Sequence, residues 1–265
     1  MTHNLPAPLD VKLMNLTSNL LLVAFVLLAL GAAAGWAMAH PLFAIRGVTV
    51  TGDVNHNNAL TLRANVAPQL RGTFLTIDLV AARHAFEAMP WVRQAVVRRE
   101  FPNRLKVILQ EHQAVGYWGT ESDSTLVNSF GEVFEANVDE VEQDELPRLD
   151  GPQGQSAQAL AMYRALQPLF EKVDLSIEEL DLTGRGSWRA KLDTGAQIEL
   201  GRGTEEEVVA RTQRFLGTMT QVTSRYGRTV TSLESADLRH QEGYAIRLRG
   251  VSTVLPEAQK AQKNQ

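Results

Sequence analysis

The chain has no cysteine among its 265 residues, which removes disulfides, cysteine-bearing metal sites and a thiol nucleophile together. That absence does not fix the compartment, because an exported protein with a large enough core folds without disulfides. An excess of one charge sign is missing too. Lys and Arg total 26 against 30 Asp and Glu, a net charge of −4, which gives no support for a nucleic acid or an acidic substrate as partner. Catalytic signatures are scarce. The histidines (His3, His40, His56, His84, His112, His240) are scattered with no two at i, i+4, and His84 with Glu87 is a lone helical pair, short of a metal set. Gly184-Arg185-Gly186-Ser187 is not a G-x-S-x-G nucleophile elbow. Gly201-x-Gly203 stops short of a dinucleotide fingerprint and leads into glutamates that would repel phosphate. The acidic cluster Glu140, Glu142, Asp144 and Glu145 reads as a solvated loop. No cofactor, metal or small-molecule substrate is expected.

What the sequence does contain is one long apolar run, Leu20 to Ala39, with no charged or strongly polar side chain. At about 1.5 Å per residue, a helix of that length crosses a hydrocarbon core of roughly 30 Å. Trp36 lies near one end, where an indole suits the interface. A cleaved signal peptide is the rival, since Ala37-Met38-Ala39 has the small-residue pattern of a cleavage site. The run is longer than the usual signal core of about 7–15 residues, and Lys12 is the one basic side chain before it, so an uncleaved anchor is expected. Lys12 before the span and Arg46 after it nearly tie under the positive-inside rule. The short segment 1–19 is therefore expected to remain cytoplasmic on grounds of size, with the span over 20–40. Gly31-x-x-x-Gly35 would let a second helix pack closely in lipid, although glycine and alanine are common in such spans.

Beyond Pro41 the pattern turns soluble. Val48 and Val50 alternate with threonines up to Gly52, a short strand and turn. Asn57 is placed to cap a helix carrying Ala59, Leu62 and Val66 on one face. Asp78 caps a second helix with Leu79, Ala82 and Phe86, which Pro90 ends. Trp91–Arg99 and Leu105–Glu111 read as strands joined by a Pro102-Asn103 turn. Strand, helix, helix, strand, strand is an α+β unit with two helices on one face of a small sheet.

This order directly after an anchor resembles a POTRA domain. The stretch Pro90-Trp91-Val92 … Arg99-Glu100-Phe101-Pro102-Asn103-Arg104-Leu105 is similar to the FtsQ/DivIB family of bacterial division proteins. The similarity continues through Leu126-Val127-Asn128 … Gly131-Glu132-Val133-Phe134, Leu146-Pro147-Arg148-Leu149-Asp150-Gly151-Pro152, Leu200-Gly201-Arg202-Gly203 and Asp237-Leu238-Arg239. It rests on the order and spacing of these pieces over roughly 200 residues. The fold implied is a single transmembrane helix, a POTRA domain over 41–115, and a second mixed α/β domain with a largely antiparallel sheet over 116–254. The tail 255–265 is expected to be disordered.

The second domain also has a reading of its own. Ser156 precedes a helix with Leu160, Tyr163, Leu166 and Phe170 on one face, which Pro168 should bend or shorten. Leu180–Thr183, Trp188–Leu192 and Gln197–Leu200 are short strands separated by glycine turns. Thr204 with Glu207 forms a capping box for a helix burying Val208, Phe215, Leu216, Met219 and Val222. Strands at Thr229–Leu238 and Tyr244–Arg249 complete the unit. In the last strand Tyr244, Ile246 and Leu248 alternate with Ala245, Arg247 and Arg249, a core face and a basic face. As an open edge it would either accept a partner strand or be guarded by its arginines, and the pattern alone favours neither.

The resemblance implies a non-enzymatic scaffold of the divisome in the inner membrane, with its folded domains in the periplasm at the septum. It implies the division proteins FtsB, most directly, and FtsL as partners, and control of septal peptidoglycan synthesis. Carried over by position, the contacts fall on Arg185, Arg239, His240, Gly243, Tyr244, Arg247 and Leu248. Arg239 and Arg247 are assigned to acidic partner side chains and Gly243 to close backbone approach, while Tyr244 fits core and contact alike. Arg98-Arg99 and the second POTRA helix offer a further docking surface or simply a solvated edge. The alternatives are a POTRA-type polypeptide-transport or outer-membrane assembly factor, and a wall-active enzyme with paired carboxylates.

Overall fold

The computed structural model describes residues 8–57, 59–119, 125–137, 146–240 and 243–251. The acidic stretch around Glu140 and the C-terminal tail lie outside them. The apolar run forms helix α1, Leu9–Met38, none of whose residues is buried. It starts at Leu9, well before the expected Leu20, with the Lys12 N–H donating to the Pro8 carbonyl at 3.1 Å. The chain then divides into two units at Glu111/His112.

In the first unit, β1 (Gly47–Gly52), α2 (Ala59–Val66), α3 (Leu79–Glu87), β2 (Val92–Glu100) and β3 (Arg104–Glu111) follow the expected order. The sheet order is β1-β3-β2, with β1 parallel and β2 antiparallel to β3. Strict alternation on β3 buries Leu105, Val107 and Leu109 beneath the helices, each contributing about 1.5–3 kcal/mol. Asp78 caps α3 by accepting from the N–H groups of Val80 and Ala81, at 2.8 and 3.1 Å. At the far end of β3, Glu111 is buried and accepts the N–H groups of Asn55, His56 and Asn57, each at 3.0 Å. The Asn57 side-chain amide donates to the same carboxylate at 2.8 Å, so the residue expected to cap α2 is engaged in tying β3 to the segment that enters α2. His56 stacks on Trp91 with ring centroids 3.8 Å apart.

The second unit is a nine-stranded mixed sheet. Its strands are β4 (Ala114–Trp118), β5 (Thr125–Asn128), β6 (Val133–Glu135), β7 (Arg148–Asp150), β8 (Ile177–Leu182), β9 (Ser187–Leu192), β10 (Gln197–Arg202), β11 (Leu233–Asp237) and β12 (Ala245–Leu248). They are ordered β12-β11-β10-β9-β8-β7-β4-β5-β6. Most neighbouring pairs are antiparallel, with parallel pairing at β10–β11, β7–β8 and β4–β7. Helices α4 (Ser156–Glu171) and α5 (Glu205–Arg225) cover one face through Leu166, Phe170, Val208, Phe215 and Met219. The uncovered face carries a charge ladder, Arg189 Nε to Glu199 at 2.8 Å and Lys191 Nζ to Glu179 at 2.6 Å, as a one-sided sheet should. There, burial and then the charge of Asp150 raise the carboxyl pKa of Asp181.

Three expectations are corrected. Helix α4 runs through Pro168 to Glu171, its last turn held in the core by Phe170. Residues Thr229–Leu238 are not one strand: Val230–Ser232 forms a 3-10 turn and β11 starts at Leu233. On α5, Val222 is half-buried and Thr212 and Thr223 face the core instead. Their hydroxyls donate to the carbonyls of Val208 and Met219, four residues back, so they enter apolar surroundings without an unpaired polar group. The Thr204–Glu207 capping box is formed in both directions.

Candidate partner-binding edge

Strand β12 is the outermost of its sheet. It pairs antiparallel with β11, from Leu233↔Leu248 to Asp237↔Ala245, and among the described residues no strand lies on its other side. Such an edge presents a row of main-chain donors and acceptors. Its side chains divide as the alternation requires. Leu248 is 5% exposed and Ile246 is half-buried, while Ala245 and Arg247 face solvent.

This division sorts the expected contact residues. Leu248 lies in the core, so its side chain is unavailable and a contact there is limited to its backbone. Tyr244 also packs inward: its ring meets Phe215 edge-to-face at 5.0 Å and its hydroxyl lies 2.6 Å from Thr218 Oγ1. Gly243, next to it, is exposed, and a Cβ built there meets nothing within 4 Å. His240 is exposed on the same β11–β12 connection. Arg247 is exposed and lies 3.7 Å from Glu234.

Arg185 and Arg239, 54 positions apart, line one open hollow of about 1250 Å³. The β8–β9 turn supplies Arg185, the end of β10 supplies Arg202, α5 supplies Arg211 and Arg214, and the residue pair after β11 supplies Arg239. These arginines are not equivalent. Arg211 donates to the carbonyls of Leu200 and Arg202, and Arg189 is paired with Glu199. Arg239 makes a two-pronged contact with Asp237, Nε to Oδ1 at 2.9 Å and Nη2 to Oδ2 at 2.5 Å. Among the described residues, Arg185, Arg202 and Arg214 form no ion pair, and they give the hollow its free positive charge. Arg202 and Arg214 were not singled out by sequence; the signal available was the i, i+3 spacing of Arg211 and Arg214 on α5.

The Arg239 hydrogen bond holds the Asp237 carboxyl down at about 2. A depressed carboxyl stabilises the folded state fully above its ordinary value of 3.8 and loses that contribution as pH falls from there towards 2. Arg239 is more than half exposed, so the effect on stability is small. Substituting Arg239→Gln is expected to move the Asp237 titration midpoint from about 2 back towards 3.8, read by NMR of the side-chain carboxyl. A midpoint that stays put would assign the depression to another group.

In the anchor, Gly31 and Gly35 lie on the same face of α1 with open space at both. Among the described residues no cluster of three or more His, Asp or Glu side chains is arranged to hold a metal.

Comparison with known proteins agrees with this architecture. Residues 43–112 match the POTRA domain, FtsQ-type, and residues 116–239 match the C-terminal region of the cell division protein FtsQ/DivIB. The chain is 40% identical to the cell division protein FtsQ of Burkholderia pseudomallei over 91% of its own length and 94% of that protein. It is 41% identical to the FtsQ of Thiomonas arsenitoxydans, over 92% and 89%. With the FtsQ of Bordetella pertussis it shares 34% identity over 90% and 92%. An apolar N-terminal helix, a POTRA unit and a second sheet unit in this order, at such identity over nearly the whole length, mean that the chain belongs to the FtsQ/DivIB family of cell division proteins.

Proposed function

We propose that this cell division protein is a non-enzymatic scaffold, anchored in the inner membrane by α1 with both folded units in the periplasm at the septum. In this reading it recruits FtsB, and FtsL with it, to control septal peptidoglycan synthesis. The supporting observation is that β12 has a free edge among the described residues, while Arg239, just after β11, lines the hollow that holds Arg185, Arg202 and Arg214. Strand addition supplies main-chain hydrogen bonds for affinity, and a charged hollow beside it supplies orientation and on-rate. An extended segment of FtsB pairs with β12, passes close to Gly243, and sends an acidic side chain to the hollow.

The internal pairs decide which arginine receives that side chain. A carboxylate arriving at Arg239 or Arg247 competes with Asp237 or Glu234, whereas Arg185 has no such competitor. Arg185→Glu is therefore expected to weaken FtsB binding by roughly tenfold, about 1.4 kcal/mol, with a weaker salt dependence than the wild type. Isothermal titration of the periplasmic parts measures both. An unchanged affinity in the folded variant would remove Arg185 from the interface. Gly31 and Gly35 offer a second contact, the close packing of a partner helix in the bilayer.

A further inference from the structure

We propose that the anchor-proximal end of the first unit is itself a lipid-binding surface, seated in the headgroup layer of the leaflet from which α1 emerges. The inference rests on α1 crossing the membrane and not on the partner contacts of the second unit.

Topology fixes which residues lie at that end. Parallel pairing sets Gly47 opposite Arg104, so β1 and β3 both start where the chain leaves the anchor. The β2–β3 turn, Phe101–Asn103, must therefore lie at this end too, and the Arg46 N–H donates to the Asn103 carbonyl at 2.9 Å. The segment 73–77 is bound to the same place. Thr73 Oγ1 donates to the Met38 carbonyl at 2.9 Å and the Phe74 N–H to the Phe43 carbonyl at 2.7 Å. Arg99, near the end of β2, donates to the carbonyls of Phe74 and Ile77 at 2.7 and 2.8 Å. Met38 is the last residue of α1, within the apolar run. A hydroxyl bonded to its carbonyl therefore places the 73–77 segment at the depth of the membrane interface.

This end is apolar where a water-facing domain would be polar. Phe101 at the turn is 86% exposed, Leu42 70%, Val80 59% and Leu75 44%. Large apolar side chains gathered on one exposed end mark an interaction surface, and inserting them at a headgroup boundary removes them from water. Charge agrees. Arg46, Arg71, Arg98, Arg104 and Lys106 are exposed and form no ion pair among the described residues. Among the described residues, the acidic ones nearby are Asp78, occupied as the cap of α3, and Glu100, which faces Arg104 across the strands. Arg98 and Lys106 sit directly opposite each other on β2 and β3. Such a like-charged cross-strand pair is unfavourable in water and is relieved by anionic headgroups, which attract each basic residue near the surface. Continuity with the anchor selects a bilayer as the occupant.

The absence of cysteine makes the test clean. The full-length protein is reconstituted in phosphatidylcholine vesicles with and without phosphatidylglycerol, carrying one nitroxide at Phe101→Cys, Leu75→Cys or Val54→Cys. Val54 is exposed beyond the far end of β1. Collision with oxygen, which partitions into lipid, is compared with collision with a water-soluble nickel chelate. The oxygen-to-nickel ratio is expected to be roughly threefold higher at 101 and 75 than at 54. It should rise with phosphatidylglycerol and fall when Arg98→Glu and Lys106→Glu are combined. Ratios at 101 and 75 equal to that at 54 would overturn the proposal, even with the anchor inserted. A water-exposed label at Phe25→Cys would overturn the membrane reading of α1 and this surface with it.

Discussion

Gly243→Lys is expected to reduce binding of the periplasmic part of FtsB by on the order of a hundredfold, about 2.7 kcal/mol, with folding stability unchanged. The second half follows from the free structure. Nothing lies within 4 Å of a Cβ at Gly243, and its φ is not in the left-handed region, so a side chain there meets neither a neighbour nor backbone strain. Surface changes of this kind usually fall within about 0.5 kcal/mol. The first half follows from the edge. A strand added to β12 runs about 4.8 Å from it, and continuing past Tyr244 it crosses the exposed backbone at Gly243. A long side chain fills the approach that the glycine leaves open.

The added charge sharpens the test. A lysine beside a basic hollow attracts an acidic partner more strongly, so electrostatics alone predicts tighter binding. Loss of affinity would isolate close approach as the cause. Calorimetric titration together with a thermal melt of the same sample separates binding from folding. A folded variant that binds as the wild type does would exclude the β12 lead-in from the interface and leave the hollow to be tested through Arg185.

Features whose signals are local in sequence are legible there, and features assembled from distant segments are not. The first soluble unit was legible because its signals are local. Leu105, Val107 and Leu109 alternate in sequence, Asp78 caps within three residues, and Pro90 stops a helix. Strands β8 to β10 and helix α5 were legible for the same reason. Strands β6 and β7 have three residues each, too few for alternation to register, and the partners of β7, strands β4 and β8, are distant in sequence. Thr212 and Thr223 were illegible as core because a threonine hydroxyl satisfied by its own helix turn leaves no mark in the sequence. The final strand showed its two faces at once, yet Tyr244 could be assigned to the core only after Phe215 and Thr218 were seen against it. The hollow was least legible of all, since it is assembled from four separate segments and depends on which arginines Asp237 and Glu199 already occupy.

The buried carboxylate of Glu111 carries the second large expected effect, and it concerns folding rather than binding. In sequence it is only the last residue of an alternating strand. In the structure it accepts three backbone N–H groups and the Asn57 amide, and its Oε2 lies 3.2 Å from His56 Nδ1. Glu111→Ala removes the acceptor while leaving those donors in place. The Asn57 groups are buried and lose their partner where water enters poorly, whereas Asn55 is exposed and rehydrates. An unsatisfied buried donor costs about 1–3 kcal/mol, so a loss of roughly 3 kcal/mol for the first unit is expected. Glu111→Gln keeps the shape and one carbonyl oxygen but turns an amide towards N–H groups that need an acceptor, and should fall between alanine and wild type. Amide hydrogen exchange distinguishes this from a general weakening. Protection should drop by roughly a hundredfold at Leu62 and Val107, about 2.7 kcal/mol, while Leu180 and Ile198 in the second unit keep theirs. Equal protection at Val107 in the alanine variant would mean that the packing of Leu105, Val107 and Leu109 beneath α2 and α3 holds this unit without the carboxylate. The hydrogen-bonded turn from Asn55 to Asn57 would then follow from that packing instead of securing it.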